Sequence, residues 1–106
     1  MGAGKHKLFT PYQNKIAEMA KAIAHPARVA ILELIVKKGA CVCGDIVDEL
    51  PLSQSTVSQH LKELKKAGIL KGEVDGAYRC YCLNAKECKD FAVLLQKLFS
   101  KLTNCC

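Results

Sequence analysis

Pro11, Pro26, Gly39, Pro51 and Gly68 break the first two thirds of the chain into short segments, and the Asp75-Gly76 pair breaks the remainder. Proline fits the first turn of a helix and glycine supplies the left-handed residue that ends one, so each breaker sets a boundary. Asp-Gly acts differently: both positions tolerate positive φ, which a tight β-hairpin turn requires. A chain of 106 residues cut in this way makes one small domain, so residues 1–106 are expected to form a single unit. The expected fold is mainly α with a small β-hairpin, in the order α-α-α-α-β-β-α.

Periodicity fills in the segments. Ile16, Met19, Ala20 and Ile23 recur at helical offsets between Tyr12 and Ile23, after Thr10-Pro11. Ala27 to Lys38 reads as a second, largely buried helix, entered through His25-Pro26, ended at Gly39 and closed by Lys37 and Lys38, which suit its C-terminal dipole. Beyond Cys41-Val42-Cys43-Gly44, a short helix over about Asp45 to Leu50 presents Ile46, Val47 and Leu50 on one side before Pro51 stops it. Ser53 caps the next helix, whose Val57, Leu61 and Leu64 form an apolar stripe up to Gly68. The two helices and their tight turn, about residues 45–67, make a helix-turn-helix.

Ile69 to Val74 and Tyr78 to Leu83 then read as the strands of a hairpin wing, about residues 69–83. Asn84 caps a last helix over about residues 85–102, with Glu87 as its capping-box partner. Its Phe91, Leu94, Leu95, Leu98 and Leu102 face one way, and Val93 and Phe99 widen that face. Such breadth exceeds what one small domain buries, which predicts a homodimer packed through this helix.

The charge balance points to a partner. Sixteen Lys and Arg against ten Asp and Glu leave a net charge of +6, a surface that attracts phosphate backbones. The first twenty residues contain no apolar stretch of the kind a secretion signal needs, and no run approaches the roughly 18 apolar residues of a membrane span. A soluble, cytoplasmic protein with no membrane partner is expected. The helix after Ser53 carries short polar side chains on its first turns and lysines later. Gln54, Ser55, Thr56, Ser58, Gln59 and His60 can offer donors and acceptors to base edges, while Lys62, Lys65, Lys66 and the wing's Arg79 can neutralise phosphates. Operator double-stranded DNA is the expected partner.

Seven cysteines, at 41, 43, 80, 82, 88, 105 and 106, are many for a small reduced protein. In the cytosol they should be thiols, and an odd count argues against a fully paired disulfide framework, so metal binding or redox sensing is favoured. Period-two alternation sets Cys80 and Cys82 on one face of the wing, with Arg79, Tyr81 and Leu83 on the other. Cys88 reads as a packing residue. His6, His25 and His60 show no ligand spacing; His6 falls in a disordered start, His25 at a helix entry and His60 toward DNA.

His25-Pro-Ala-Arg-Val-Ala-Ile-Leu, the Cys41-Val-Cys43 box, Ser53-Gln-Ser-Thr-Val-Ser-Gln-His-Leu-Lys-Glu-Leu and the wing together resemble the ArsR/SmtB repressors, over nearly the whole chain. The resemblance implies a homodimeric winged helix-turn-helix repressor that leaves its operator when an inducer, often a heavy metal or metalloid, binds. Cys41 and Cys43 lie where arsenic-type members keep a Cys-Val-Cys box, at the entrance to the first helix of the DNA-reading pair. Residues two apart on an ideal helix point about 200° away from each other, so one ion can engage both sulfurs only if this turn is loose or distorts. Binding there is expected to strain the reading head.

The fullest form of that box has a further cysteine about three residues on; Ile46 stands here instead. The family's zinc site on the last helix has no counterpart, because residues 84–106 contain no histidine. A third ligand must come from elsewhere, Cys105 or Cys106 first, from the same or the partner subunit, and Cys80 or Cys82 next. Thiolates are soft donors, so a three-sulfur site selects As(III) or Sb(III), then Cd, Pb or Bi, with no organic cofactor.

Three other readings compete: a redox or persulfide sensor of the same fold, an architectural DNA binder with idle cysteines, and a thiol enzyme. The last needs a base, an oxyanion site or a cofactor pocket, and no such constellation is present, so the chain reads as no enzyme.

Overall fold

The computed structural model describes residues 7–76 and 78–105, and of Val47 the backbone alone. The elements are α1 Pro11–Ile23, α2 Pro26–Lys37, β1 Cys41–Cys43, a 3-10 turn Val47–Glu49, α3 Gln54–Lys66, β2 Leu70–Glu73, β3 Cys80–Leu83 and α4 Ala85–Thr103. Together they form a winged helix-turn-helix, and the four α-helices have boundaries within a residue of those expected.

Local chemistry sets those boundaries. At α1, Thr10 Oγ1 accepts from Gln13 N and Gln13 Oε1 accepts from Thr10 N, a reciprocal cap beside Pro11. His25 caps α2 through Nδ1, which accepts from Ala27 N at 3.0 Å, as its helix-entry position predicted. Asn84 Oδ1 accepts from Glu87 N, but the expected return bond from Glu87 is replaced by an ion pair to Lys15 of α1 at 2.9 Å. The last helix is thereby tied to the first.

Two expectations fail between α2 and α3. The helix over about Asp45 to Leu50 is reduced to a 3-10 turn, and Cys41–Cys43 forms a strand rather than a helix entrance. The cause is nonlocal. Gly39 and Ala40 both take positive φ, 95° and 75°, which swings the chain from α2 into line with β3. There Leu83 N donates to Ala40 O at 2.8 Å and Gly44 N donates to Arg79 O at 3.0 Å. The hairpin thus becomes a three-stranded antiparallel sheet of order β1-β3-β2. Gly72 lets β2 and β3 close up, because a Cβ there would stand 2.5 Å from the Cys80 carbonyl oxygen.

The core lies between the helices and the inner face of this sheet. Ile31 and Ile35 of α2, Leu61 and Leu64 of α3, Val42 of β1, Leu70 of β2 and Tyr81 of β3 are buried together with Met19 and Phe91. Alternation along β1 and β3 sends Val42 and Tyr81 inward and the cysteines outward. Among the described residues no helix is long and apolar enough to cross a membrane.

Candidate functional site

The exposed side of α3 carries the residues expected to meet DNA. Ser53 Oγ accepts from Thr56 N and lies within hydrogen-bonding distance of the Ser55 and Thr56 hydroxyls, at 3.2 and 2.9 Å, which fixes the first turn. Gln54, Ser55, Thr56, Gln59, Lys62 and Lys65 are exposed and Ser58 is half-buried. Gln54 Nε2 reaches Asp45 Oδ1 at 3.5 Å, and Lys62 pairs with Asp75 at the wing turn at 3.6 Å. The polar face and the wing are adjoining parts of one surface.

Two expected contacts are placed otherwise. His60 is buried, 8% exposed. Its Nδ1 accepts from Arg28 Nε at 3.0 Å, and its ring packs against His25 with centroids 4.6 Å apart. Burial, then the nearby His25 and Arg28, hold its pKa below the usual histidine value. Its spacing explains the position: His60 lies three residues after Val57 and four before Leu64, on the apolar side of the helix. Arg79 is committed within the chain, since Nη1 pairs with Asp45 Oδ1 at 2.6 Å, Nε donates to Gly76 O, and only 16% of its side chain is exposed. It braces the wing against the loop before α3 rather than standing open to phosphate.

The outer face of the sheet holds sulfur. Cys41 lies opposite Cys82 and Cys43 opposite Cys80, with Cα separations of 4.0 and 4.1 Å, and each pair is joined as a disulfide. The expectation that these cysteines are thiols is therefore not met. The backbone bonds at Ala40–Leu83 and Gly44–Arg79 make both cysteine pairs non-hydrogen-bonded sites, where facing side chains come closest in an antiparallel ladder. Cys41, Cys43 and Cys80 are exposed and Cys82 is half-buried. The helical constraint that would have pointed Cys41 and Cys43 apart is absent, because on a strand residues two apart share a face. On the same face, Lys71 and Glu73 of β2 lie opposite Cys82 and Cys80.

The remaining cysteines lie elsewhere. Cys88 is half-buried against the core, as expected of a packing residue, and burial followed by the Glu87 carboxylate pushes its thiol pKa up. Cys105 follows the C-terminus of α4, its Sγ contacting Leu102 O at 3.2 Å. The 19 residues of α4 extend from the end of β3 over about 28 Å, so Cys105 stands roughly 20 Å or more from Cys82 of its own subunit. The structure therefore does not bring Cys105 together with Cys41 and Cys43 of its own subunit; Cys106 and His6 lie outside the described residues. Among the described residues, with the four sheet sulfurs paired, no three His, Cys, Asp or Glu form a group that could hold a metal ion.

Comparison with known proteins agrees with this architecture. Residues 25–71 match the sequence model of a family described as bacterial regulatory protein, arsR family. An uncharacterized HTH-type transcriptional regulator of Methanocaldococcus jannaschii is 41% identical over 85 residues, which cover 79% of this chain and 94% of that one. The arsenical resistance operon repressor of Bacillus subtilis is 33% identical over 88 residues, 82% of this chain and 79% of its own length. The crystal structure of Mycobacterium tuberculosis Rv0081 superposes with a TM-score of 0.61 at 29% identity, covering 90% of this chain and 95% of that one. With its winged helix-turn-helix in place, the chain belongs to the ArsR family of DNA-binding transcriptional repressors and is not an enzyme.

Proposed function

We propose that this repressor is a cytoplasmic homodimer that holds operator DNA and releases it when a thiophilic ion, As(III) or Sb(III) foremost and Cd, Pb or Bi by the same chemistry, binds the thiolates of Cys41 and Cys43. In this reading residues 45–67 form the reading head, with Gln54, Ser55, Thr56, Ser58 and Gln59 toward base edges and Lys62 and Lys65 toward phosphates. Residues 69–83 are the wing and α4 is the dimer contact. The observation that carries it is the position of β1: both sulfurs face outward on the strand that leads directly into the 3-10 turn and α3. The donor set fits, since reduced cysteines are soft ligands for these ions. The Bacillus subtilis relative, named as a repressor of an arsenical resistance operon, points the same way.

Regulation follows from coupling. A hundredfold fall in DNA affinity needs about 3 kcal/mol of difference in ion affinity between the DNA-competent and DNA-incompetent states. Arg79, Asp45 and Gln54 form a short chain of contacts from the wing through the pre-helix loop to the first turn of α3. A shift of β1 or β3 has that route to the reading head.

The two disulfides favour a second reading, a thiol redox sensor. Each cysteine pair gives two electrons and two protons to hydrogen peroxide, whose O–O bond breaks, forming one S–S bond and two waters. Fluorescence anisotropy on promoter DNA at fixed salt separates the two readings. Reduced wild type, Cys41→Ser and Cys43→Ser are titrated with As(III), Sb(III), Cd, Zn and a mild oxidant. Release at near-stoichiometric As(III) or Sb(III), abolished by either substitution, is expected; release by oxidant alone supports the redox sensor, and no release by any of them overturns both.

A further inference from the structure

We infer that, once reduced, Cys41, Cys43, Cys80 and Cys82 form one four-thiolate site, and that it takes a soft divalent ion of tetrahedral habit, Cd(II) or Zn(II), as a clamp between β1 and the wing. This rests on the reading that the sheet sulfurs are the inducer site, and it names Cys80 and Cys82, rather than the tail cysteines, as the ligands that complete it.

The register carries the inference. All four sulfurs share the outer face, two on each strand, at positions directly opposite one another. Across the ladder the Cα atoms are 4.0 and 4.1 Å apart; along each strand, residues two apart are separated by about 6.7 Å. Zinc–sulfur bonds of about 2.3 Å in a tetrahedron set neighbouring sulfurs about 3.8 Å apart. The cross-strand spacing already fits. Leaning inward along the strands by about 1.5 Å each brings the sulfurs only to a square. The two cross-strand pairs must also turn in opposite senses to bring the diagonal sulfurs to the same spacing, a change of rotamer that reduction of the disulfides allows. The geometry that permits two disulfides therefore also permits one tetrahedral ion.

Access agrees. Four thiolates around a divalent ion leave a net charge of about −2; on the same face Lys71 lies opposite Cys82 and Glu73 opposite Cys80, so β2 adds no net charge. Cys41, Cys43 and Cys80 are exposed, so an ion reaches the site without opening the core. Disulfide formation consumes the same four sulfurs, which makes oxidation and ion binding mutually exclusive here.

Counting thiols tests the inference on the wild-type chain. The fully reduced chain has seven thiols, counted after quenching by unfolding the labelled protein so that the half-buried Cys88 is included. One equivalent of Cd(II) is expected to protect four of them from a thiol reagent and leave three (Cys88, Cys105 and Cys106), whereas As(III), which forms three bonds, protects three. Cys80→Ser and Cys82→Ser are each expected to weaken Cd(II) binding about a hundredfold or more, since loss of even an outer-shell partner costs 10–100-fold. Cys105→Ser and Cys106→Ser should leave it unchanged, and thermal melts of the apo variants separate ligand loss from misfolding. Protection of two thiols only, or a loss of binding confined to the tail variants, overturns the four-sulfur site. The anisotropy assay is a separate readout: four protected thiols without DNA release leaves this site standing and removes the regulatory reading. Release that depends on Cys105 or Cys106 does the reverse.

Discussion

Helices α3 and α4 are both amphipathic, yet their apolar sides meet different fates. On α3, Val57, His60, Leu61 and Leu64 are all buried against the protein's own core. On α4, which is half as long again, Phe91 alone is buried among the described residues, while Val93, Phe99 and Leu102 remain 55–63% exposed. The difference separates two uses of one pattern. An apolar stripe already satisfied frees the opposite polar face for a ligand, whereas the stripe of α4, half-buried at Leu94, Leu95 and Leu98 and open at Val93, Phe99 and Leu102, leaves apolar surface in contact with water.

Breaking each stripe sharpens the contrast. Leu64→Ala, at a fully buried site, is expected to cost about 2–5 kcal/mol in chemical denaturation, whatever the protein concentration. A loss below about 1 kcal/mol would mean that α3 is not anchored as described. The double substitution Phe99→Ser with Leu102→Ser should do the opposite: under about 1 kcal/mol on unfolding at high dilution, but self-association weakened by at least about tenfold, or 1.4 kcal/mol, in sedimentation equilibrium. Unaltered self-association would remove α4 as the dimer contact.

On the polar face of α3, Lys65→Ala should weaken DNA binding evenly across sequences and reduce the slope of log affinity against log salt by about 1. An unchanged slope places Lys65 away from phosphate. The smallest effect concerns His60. Its folded pKa lies below 6.5, so as pH falls through the unfolded value the unfolded chain binds a proton first. The stability His60 contributes is therefore complete above about pH 6.5 and is lost as pH falls toward its folded pKa. His60→Gln, which keeps an acceptor for Arg28, should flatten that part of the stability–pH curve relative to wild type. An identical acid limb in both proteins would assign the slope to other groups.

The same contrast marks what could be read from sequence. The four long helices were legible because their causes are local: Thr10-Pro11, His25-Pro26, Ser53 and Asn84 all act within three residues. The breadth of the apolar face on α4 was legible for the same reason. The segment over about 45–50, expected as a helix, was not, and holds a 3-10 turn. Strand β1 was not, because three residues carry no usable period and their partner lies about forty residues downstream. The shared face of Cys80 and Cys82 followed from alternation, but what faced them did not. His60 was missed among Ser and Gln neighbours, although its spacing from Val57 and Leu64 gave the signal. The commitment of Arg79 to Asp45 had no local sign, since ion pairs across 34 residues leave none.

The two sulfur bridges also have a topological consequence. They join residues 41 and 37 positions apart along the chain, one nested inside the other, and α3 lies wholly between their ends. Helix α3 is thus strung on a closed ring. Closing a loop of this length removes about 4 kcal/mol of freedom from the unfolded chain, and the second, concentric bridge adds little. A protease cut anywhere between residues 44 and 79 would leave two pieces held together until reductant is added. While the bridges last, a single cut inside this ring does not release α3 from the rest of the protein.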